Sequence, residues 1–309
     1  MIDRTKLGTY FDIFMNVVNQ PRCSITTIAK NIGHTGRGRR RATISEYLKH
    51  MYESGISLKP NLFLKDYDDP QYKVYLCRKN NRHEIGETFK LLREDRKITY
   101  VVFISGLCDY FLTSRDPTLD LSTYDLEVVE SSILYSPIFT IPQGWHLPFD
   151  KAAQNVLGYQ FEEGNLERES CGILDWKELD MRIFDSMREN VRRPFTEISE
   201  ITGVFSSTVK EHFYKHVLPR CNVAHYFFPK GYDFYMKNLI RIHTKCEKSI
   251  INALKCLPCT TYVYPLEKGL IITLFHENIN ITMTFIEKME ENGVIEHYTL
   301  FTPLWYDHI

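Results

Sequence analysis

Four arginines fall within five positions, Arg37, Arg39, Arg40 and Arg41 around Gly38, the densest positive cluster in the chain. Guanidinium groups held this close repel one another, and a basic arm of this kind grips phosphates or enters a narrow minor groove. A solvated loop is the plain alternative. Two polar runs carry a second candidate chemistry: Thr43, Ser45 and Lys49 beyond Arg41, and Ser206, Ser207, Thr208, Lys210 and His212. Such side chains on the first turns of a helix reach base edges when the helix lies in a major groove. They also cap and solvate ordinary surface helices. Cys256 and Cys259 form a CxxC, a spacing that suits a redox switch or half of a zinc site. No second CxxC or histidine pair stands at zinc-finger spacing, so two unrelated thiols are the simpler reading. Phosphate-loop, HExxH and nucleophile-elbow patterns are absent from the sequence. The expectation is a protein that is not an enzyme and has no cofactor or metal.

Composition narrows the partners. Hydrophobic residues at 43% and charged residues at 25% are ordinary for globular chains, and 309 residues suffice for two or more modest cores. Formal net charge is only -1, so nucleic-acid binding has to come from local clusters rather than from the whole-molecule field. No apolar run approaches the roughly 20 residues that span a bilayer, and the first ten residues lack the apolar core of a signal peptide. A cytoplasmic protein with reduced thiols and no membrane partner is expected.

The elements that must position these residues occur twice. Phe11, Ile13, Phe14, Val17 and Val18 have helical spacing, Ser24 caps a second helix bearing Ile28, Ala29 and Ile32, and a third carries Ile44, Leu48 and Met51 before Gly55. This is a tri-helical helix-turn-helix pattern. It returns with Leu179, Ile183, Phe184 and Met187, then Ile198 and Ile201 up to Gly203, then Ser206, Val209, Phe213 and Val217 before Pro219. Behind the second copy the spacing predicts a strand at 234–243, a helix at 247–257, strands at 260–265 and 270–276, a helix at 281–292 and a strand at 296–304. That is the βαββαβ ferredoxin-like order. Behind the first copy, strands are expected at 72–78, 99–105, 110–114 and 133–141, with helices at 83–95 and 121–131. The turn holding Asp66, Asp68, Asp69 and Pro70 reads as a winged-helix hairpin too acidic to touch phosphate.

The expected fold is therefore α+β: two tandem units, each a winged helix-turn-helix followed by a ferredoxin-like domain. The divisions are 1–60 and 61–142, a linker at 143–175 with one short helix, then 176–228 and 229–309.

This order resembles the leucine-responsive regulator (Lrp/AsnC) family over nearly the whole chain apart from the linker. Leu179, Asp180, Ile183 and Phe184 resemble its first-helix pattern, and Gly203 with Ser206, Ser207, Thr208 and Val209 its turn into the recognition helix. In the first copy Ile28, Ala29, Gly33, Thr43, Ile44, Gly55 and Ile56 match. The run Ser105, Gly106, Leu107, Cys108, Asp109, Tyr110 resembles the family's Gly-x-x-Asp sensor hairpin. The first copy carries extra residues at 36–40, and the second hairpin, Leu266, Glu267, Lys268, Gly269, lacks the aspartate, so ligand binding is not expected there.

The resemblance implies a transcription regulator that binds double-stranded DNA as a homodimer. Its sensor domains would pack face to face, and an amino-acid-like effector would sit near Gly106, Asp109 and Tyr110. Siroheme-type tetrapyrrole decarboxylases are similar in using the same unit as a catalytic subunit, which keeps an enzymatic alternative open beside a protein-interaction role.

Overall fold

The computed structural model describes residues 4–33, 39–68, 71–81 and 84–306. The first half contains α1 (Arg4–Asn19), α2 (Ile25–Asn31), α3 (Arg39–Glu53), β1 (Asn61–Leu64), β2 (Lys73–Lys79), α4 (Ile85–Glu94), β3 (Ile98–Ser105), β4 (Tyr110–Ser114) and β5 (Leu126–Ile133). Between the halves lie β6 (Ile138–Phe139) and α5 (Phe149–Leu157). The second half contains α6 (Glu178–Met187), α7 (Phe195–Thr202), α8 (Ser206–His212), β7 (Cys221–Ala224), β8 (Met236–His243), α9 (Glu247–Leu254), β9 (Tyr262–Pro265), β10 (Leu270–His276), α10 (Ile279–Glu291) and β11 (His297–Tyr306).

Both helix-turn-helix bundles form where the apolar spacing places them. Ser24 fixes the start of α2 by accepting from the Thr27 backbone N–H at 3.0 Å. Asp180 does the same for α6 by accepting from the Lys177 N–H at 3.0 Å. The bundles are tied to each other reciprocally. Leu62 of the first unit lies in the core of the second bundle, and Phe227 of the second unit lies in the core of the first. Strand β1 pairs antiparallel with β7, Asn61 facing Ala224 and Leu64 facing Cys221. Arg22 donates to the carbonyls of Val191 and Arg193, and Arg192 donates to those of Pro21 and Cys23. The strand expected to serve as a wing therefore pairs across to the other unit and forms no hairpin with β2; Asp69 and Pro70 lie outside the described residues.

The remaining strands make one antiparallel sheet in the order β5-β2-β4-β3-β11-β8-β10-β9-β6. The first four follow the ferredoxin-like arrangement of one unit and the next four repeat it, joined where β3 pairs with β11. The sheet curls until its far edges meet at a bridge between Leu134 and Leu266. Its inner faces then share an apolar cluster that includes Val74, Val102 and Phe111 of one unit and Leu239, Ile271 and Phe301 of the other. Each large side chain withdrawn fully from water contributes about 1.5–3 kcal/mol, against about 1 kcal/mol net for one hydrogen bond. The inner cluster, not the bridge, holds the barrel shut. Helices α5, α9 and α10 cover the outer face of the second unit and α4 that of the first.

One expected helix is absent. Residues 121–131 form a short 3-10 turn (Leu121–Tyr124), capped by Asp120 and ended by Asp125 at φ 56°, and then strand β5. Pairing of Lys79 to Lys73 along β5 uses backbone groups that a helix would have kept to itself. The strand expected at 133–141 contracts to β6, which crosses to the edge of the second unit.

Candidate active site at the foot of the barrel

The residues singled out in the sequence are dispersed. Arg37 lies outside the described residues, and Arg39, Arg40 and Arg41 open α3. Ser45 and Lys49 are exposed, Thr43 is half-buried, and Lys49 makes a 3.6 Å surface pair with Glu53. On α8, Ser207 and Lys210 are exposed while Ser206 and Thr208 are half-buried. His212 is committed inward: its Nδ1 stands 2.7 Å from the buried Asp180 carboxylate, tying α8 to α6. Burial works to raise the Asp180 carboxyl, but the bonds from His212 and the Lys177 N–H outweigh it and hold it below the usual range.

Gly106, Asp109 and Tyr110 do come together, in the hairpin between β3 and β4, where each makes an internal contact. Gly106 has φ +129°, and a Cβ there would stand 2.9 Å from the Leu300 carbonyl oxygen, so glycine permits the close approach of β11. Asp109 is buried and accepts from the Lys79 backbone N–H at 2.9 Å. Tyr110 is buried and donates to the Ile85 carbonyl at 2.8 Å. The CxxC is asymmetric: Cys259 is buried and its thiol is pushed up by that burial, whereas Cys256 is half-buried.

Because every neighbour in the sheet is antiparallel, β2, β3, β8 and β9 run the same way, and β2 and β8 begin at one end of the barrel, its foot. There the tyrosines converge. Tyr262 and Tyr264 on β9, with Tyr226 and Tyr232 from the segment before β8, influence one another's hydroxyls. Rings of Tyr262 and Tyr226 are 5.5 Å apart, with Phe139 at 5.1 Å and Phe275 at 5.0 Å from Tyr262. Burial first, then the neighbouring phenols, hold the hydroxyls of Tyr226, Tyr262 and Tyr264 well above their ordinary range, so they stay protonated and act as donors. The Tyr262 hydroxyl is buried without a hydrogen-bond partner, a cost of about 1–3 kcal/mol that a ligand acceptor would relieve.

Lys237, on the inner face of β8, places its Nζ 3.8 Å from the Tyr232 ring centroid. Burial brings its ammonium down to about 8, with Asp233 opposing the shift. Near neutral pH it is therefore a cation that can give up its proton, the property wanted in a general acid. Tyr232, Lys237, Tyr262 and Tyr264 are each half-buried, whereas the Tyr262 hydroxyl itself is buried, so a ligand reaches that donor only as the cluster opens. It offers aromatic walls, phenol donors and one transferable proton. By contrast, a cavity of about 530 Å³ beside α9 is lined by Glu162 and Glu163 with Lys248, a poor host for a polyanion.

None of these foot residues was singled out from the sequence. The available signal was the concentration of Tyr226, Tyr232, Tyr235, Tyr262 and Tyr264 around one lysine that interrupts the inward face of an apolar strand.

No protein-family model matches the chain, and no curated protein matches it. Among solved structures, the fold is similar to a crystal structure of the siroheme decarboxylase NirDL, with TM-score 0.54 and 11% identity over 96% of this chain and 91% of that one. It is also similar to the same enzyme in co-complex with an iron-uroporphyrin III analogue, with TM-score 0.53 and 10% identity over 96% and 92%. The tandem helix-turn-helix and ferredoxin-like architecture is thereby established. Both structures are of an enzyme, which overturns the expectation of a non-enzymatic, DNA-binding transcription regulator. Among the described residues no helix is long and apolar enough to cross a membrane.

Proposed function

We propose that the chain is a decarboxylase of a tetrapyrrole bearing carboxylate side chains, acting at the foot of the barrel with Lys237 as proton donor. In the reaction a ring-attached CH2–COO⁻ group loses CO2. The electron pair of the broken C–C bond remains on the methylene carbon, and a proton from the Lys237 ammonium turns that carbon into a methyl group; the neutral amine then regains its proton from solvent. Phenol donors on Tyr226, Tyr262 and Tyr264 hold carboxylates in place, and their rings with Phe139 and Phe275 supply flat walls for the macrocycle. Aromatic surroundings penalise a carboxylate more than neutral CO2, which favours the loss.

The reading is carried by the geometry of the foot, where Lys237 Nζ lies 3.8 Å from the Tyr232 ring centroid beside a buried Tyr262 hydroxyl without a hydrogen-bond partner. It is supported by the likeness in fold to a siroheme decarboxylase. The test is incubation of the purified chain with siroheme, following CO2 release and the mass of the tetrapyrrole. Successive losses of CO2 that vanish in Lys237→Met are expected. Siroheme that binds at the foot yet keeps all its carboxylates would sink the reading.

A further inference from the structure

Aligning the two ferredoxin-like units by their strand registers, Cys77 facing Tyr110 in the first and Ile242 facing Leu270 in the second, matches Tyr72 with Lys237 and Arg115 with Phe275. The foot of the first unit therefore has its own cation on its own tyrosine. The Arg115 guanidinium carbon lies 3.7 Å from the Tyr72 ring centroid. Arg115 is half-buried, and its Nε is buried with no hydrogen-bond partner. Burial pulls this guanidinium below its usual range; Tyr72 favours its charge, Arg188 just past α6 opposes it and Asp185 of α6 favours it.

A buried guanidinium N–H without an acceptor is rare in folded proteins, because its lost hydration is not replaced. Here Tyr72 engages the guanidinium through its ring and through a side-chain hydrogen bond but leaves Nε without an acceptor, and the second arginine adds repulsion. Both penalties disappear if an anion sits in the plane of the fork, where two parallel N–H groups match the two oxygens of a carboxylate. We infer that Arg115, stacked on Tyr72 with Arg188 beside it, forms a carboxylate-binding site distinct from the Lys237 cluster. The choice of carboxylate rests on the decarboxylase reading. The group belongs either to a tetrapyrrole or to a separate small dicarboxylate. Arginine keeps its proton, so this site binds and does not transfer.

The test uses the full chain and its Arg115→Met and Arg115→Lys variants with two probes, iron-uroporphyrin III followed by its visible absorbance and succinate followed by calorimetry. The expected result is a loss of about tenfold to a hundredfold in affinity for one probe in Arg115→Met, with Arg115→Lys in between and the melting temperature of the Met variant unchanged or raised. Loss confined to iron-uroporphyrin assigns the site to a tetrapyrrole carboxylate; loss confined to succinate assigns it to a separate small anion. Unchanged affinity for both probes overturns the inference, and so does a Met variant that melts lower or does not fold, because the guanidinium is then structural. Arginine-dependent binding in a chain that releases no CO2 from siroheme would leave this site standing and remove the decarboxylase reading. Full turnover in Arg115→Met with no change in binding would do the reverse.

Discussion

The two feet of the barrel carry the same physical motif with opposite chemical capacity. In the second unit Lys237 lies 3.8 Å from the Tyr232 ring centroid, and in the first Arg115 lies 3.7 Å from that of Tyr72. Matched through the strand registers, Lys237 occupies the place of Tyr72 and Phe275 that of Arg115, so the cation comes from a different strand in each unit and in the second lies over a tyrosine from the segment before β8. Lysine brought to about 8 can release a proton near neutral pH; arginine cannot. Two copies of one scaffold can thus keep a shared geometry while dividing proton transfer from charge recognition.

The sharpest way to break this comparison is to make the feet alike. Lys237→Arg preserves charge and stacking but removes the transferable proton, so turnover should fall about 10²–10⁴-fold, as for other lost general acids, while iron-uroporphyrin affinity changes little. In the unaltered chain kcat/KM should fall as pH rises through about 8, because the ammonium form is lost there. A flat profile across that range would return the lysine to a structural role.

The hairpins at the other end extend the comparison to stability. A Cβ on Gly106 would meet the Leu300 carbonyl oxygen at 2.9 Å, whereas one on Gly269 would run into the Ile242 carbonyl and the Arg241 guanidinium. Both glycines have positive φ. Arg241 spans the barrel, donating to the Lys268 carbonyl and to Glu130, so displacing it disturbs both units. Gly269→Ala is expected to cost about 2–4 kcal/mol and Gly106→Ala about 1–2 kcal/mol. Equal losses by chemical denaturation would show that the crossing arginine adds nothing.

The sequence made these hairpins legible because glycine at a turn between two apolar runs is a local signal. The helical bundles were legible for the same reason: Ile13, Phe14 and Val17, or Ile183, Phe184 and Met187, repeat with the period of one helix. Strand β5 was not, since only long-range pairing with β2 decides the conformation of residues 126–133. The foot was hidden more deeply. Tyr72, Arg115, Tyr226, Lys237 and Tyr262 come from separate segments, and only the curl of the sheet brings them to one end.

A third difference between the units lies where the helical bundles join the ribbon of β1 and β7. Lys65 immediately follows β1, and His225 immediately follows β7. Lys65 extends to the Pro219 carbonyl at 2.9 Å, but His225 is half-buried beside Phe14 and its imidazole is brought down by burial to about 4. The fold therefore keeps His225 neutral, while the unfolded chain takes up a proton near 6.5. Stability is whole above pH 6.5 and declines as pH falls toward about 4, by on the order of 1–3 kcal/mol. His225→Leu should flatten that acid limb of the melting curve, whereas Lys65→Leu should not touch it.

The smallest effects separate the inward from the outward face of α8. His212 satisfies the buried Asp180 carboxylate, so His212→Ala strands a partly desolvated charge and should cost about 1–2 kcal/mol. Lys210 and Ser207 are exposed on the same helix, and their alanine variants should stay within about 0.5 kcal/mol. Siroheme turnover should also be unaltered in both, because a catalytic site at the foot of the barrel asks nothing of this helix surface. A deep loss of turnover in Lys210→Ala would move the active site to the second bundle and remove the foot from consideration.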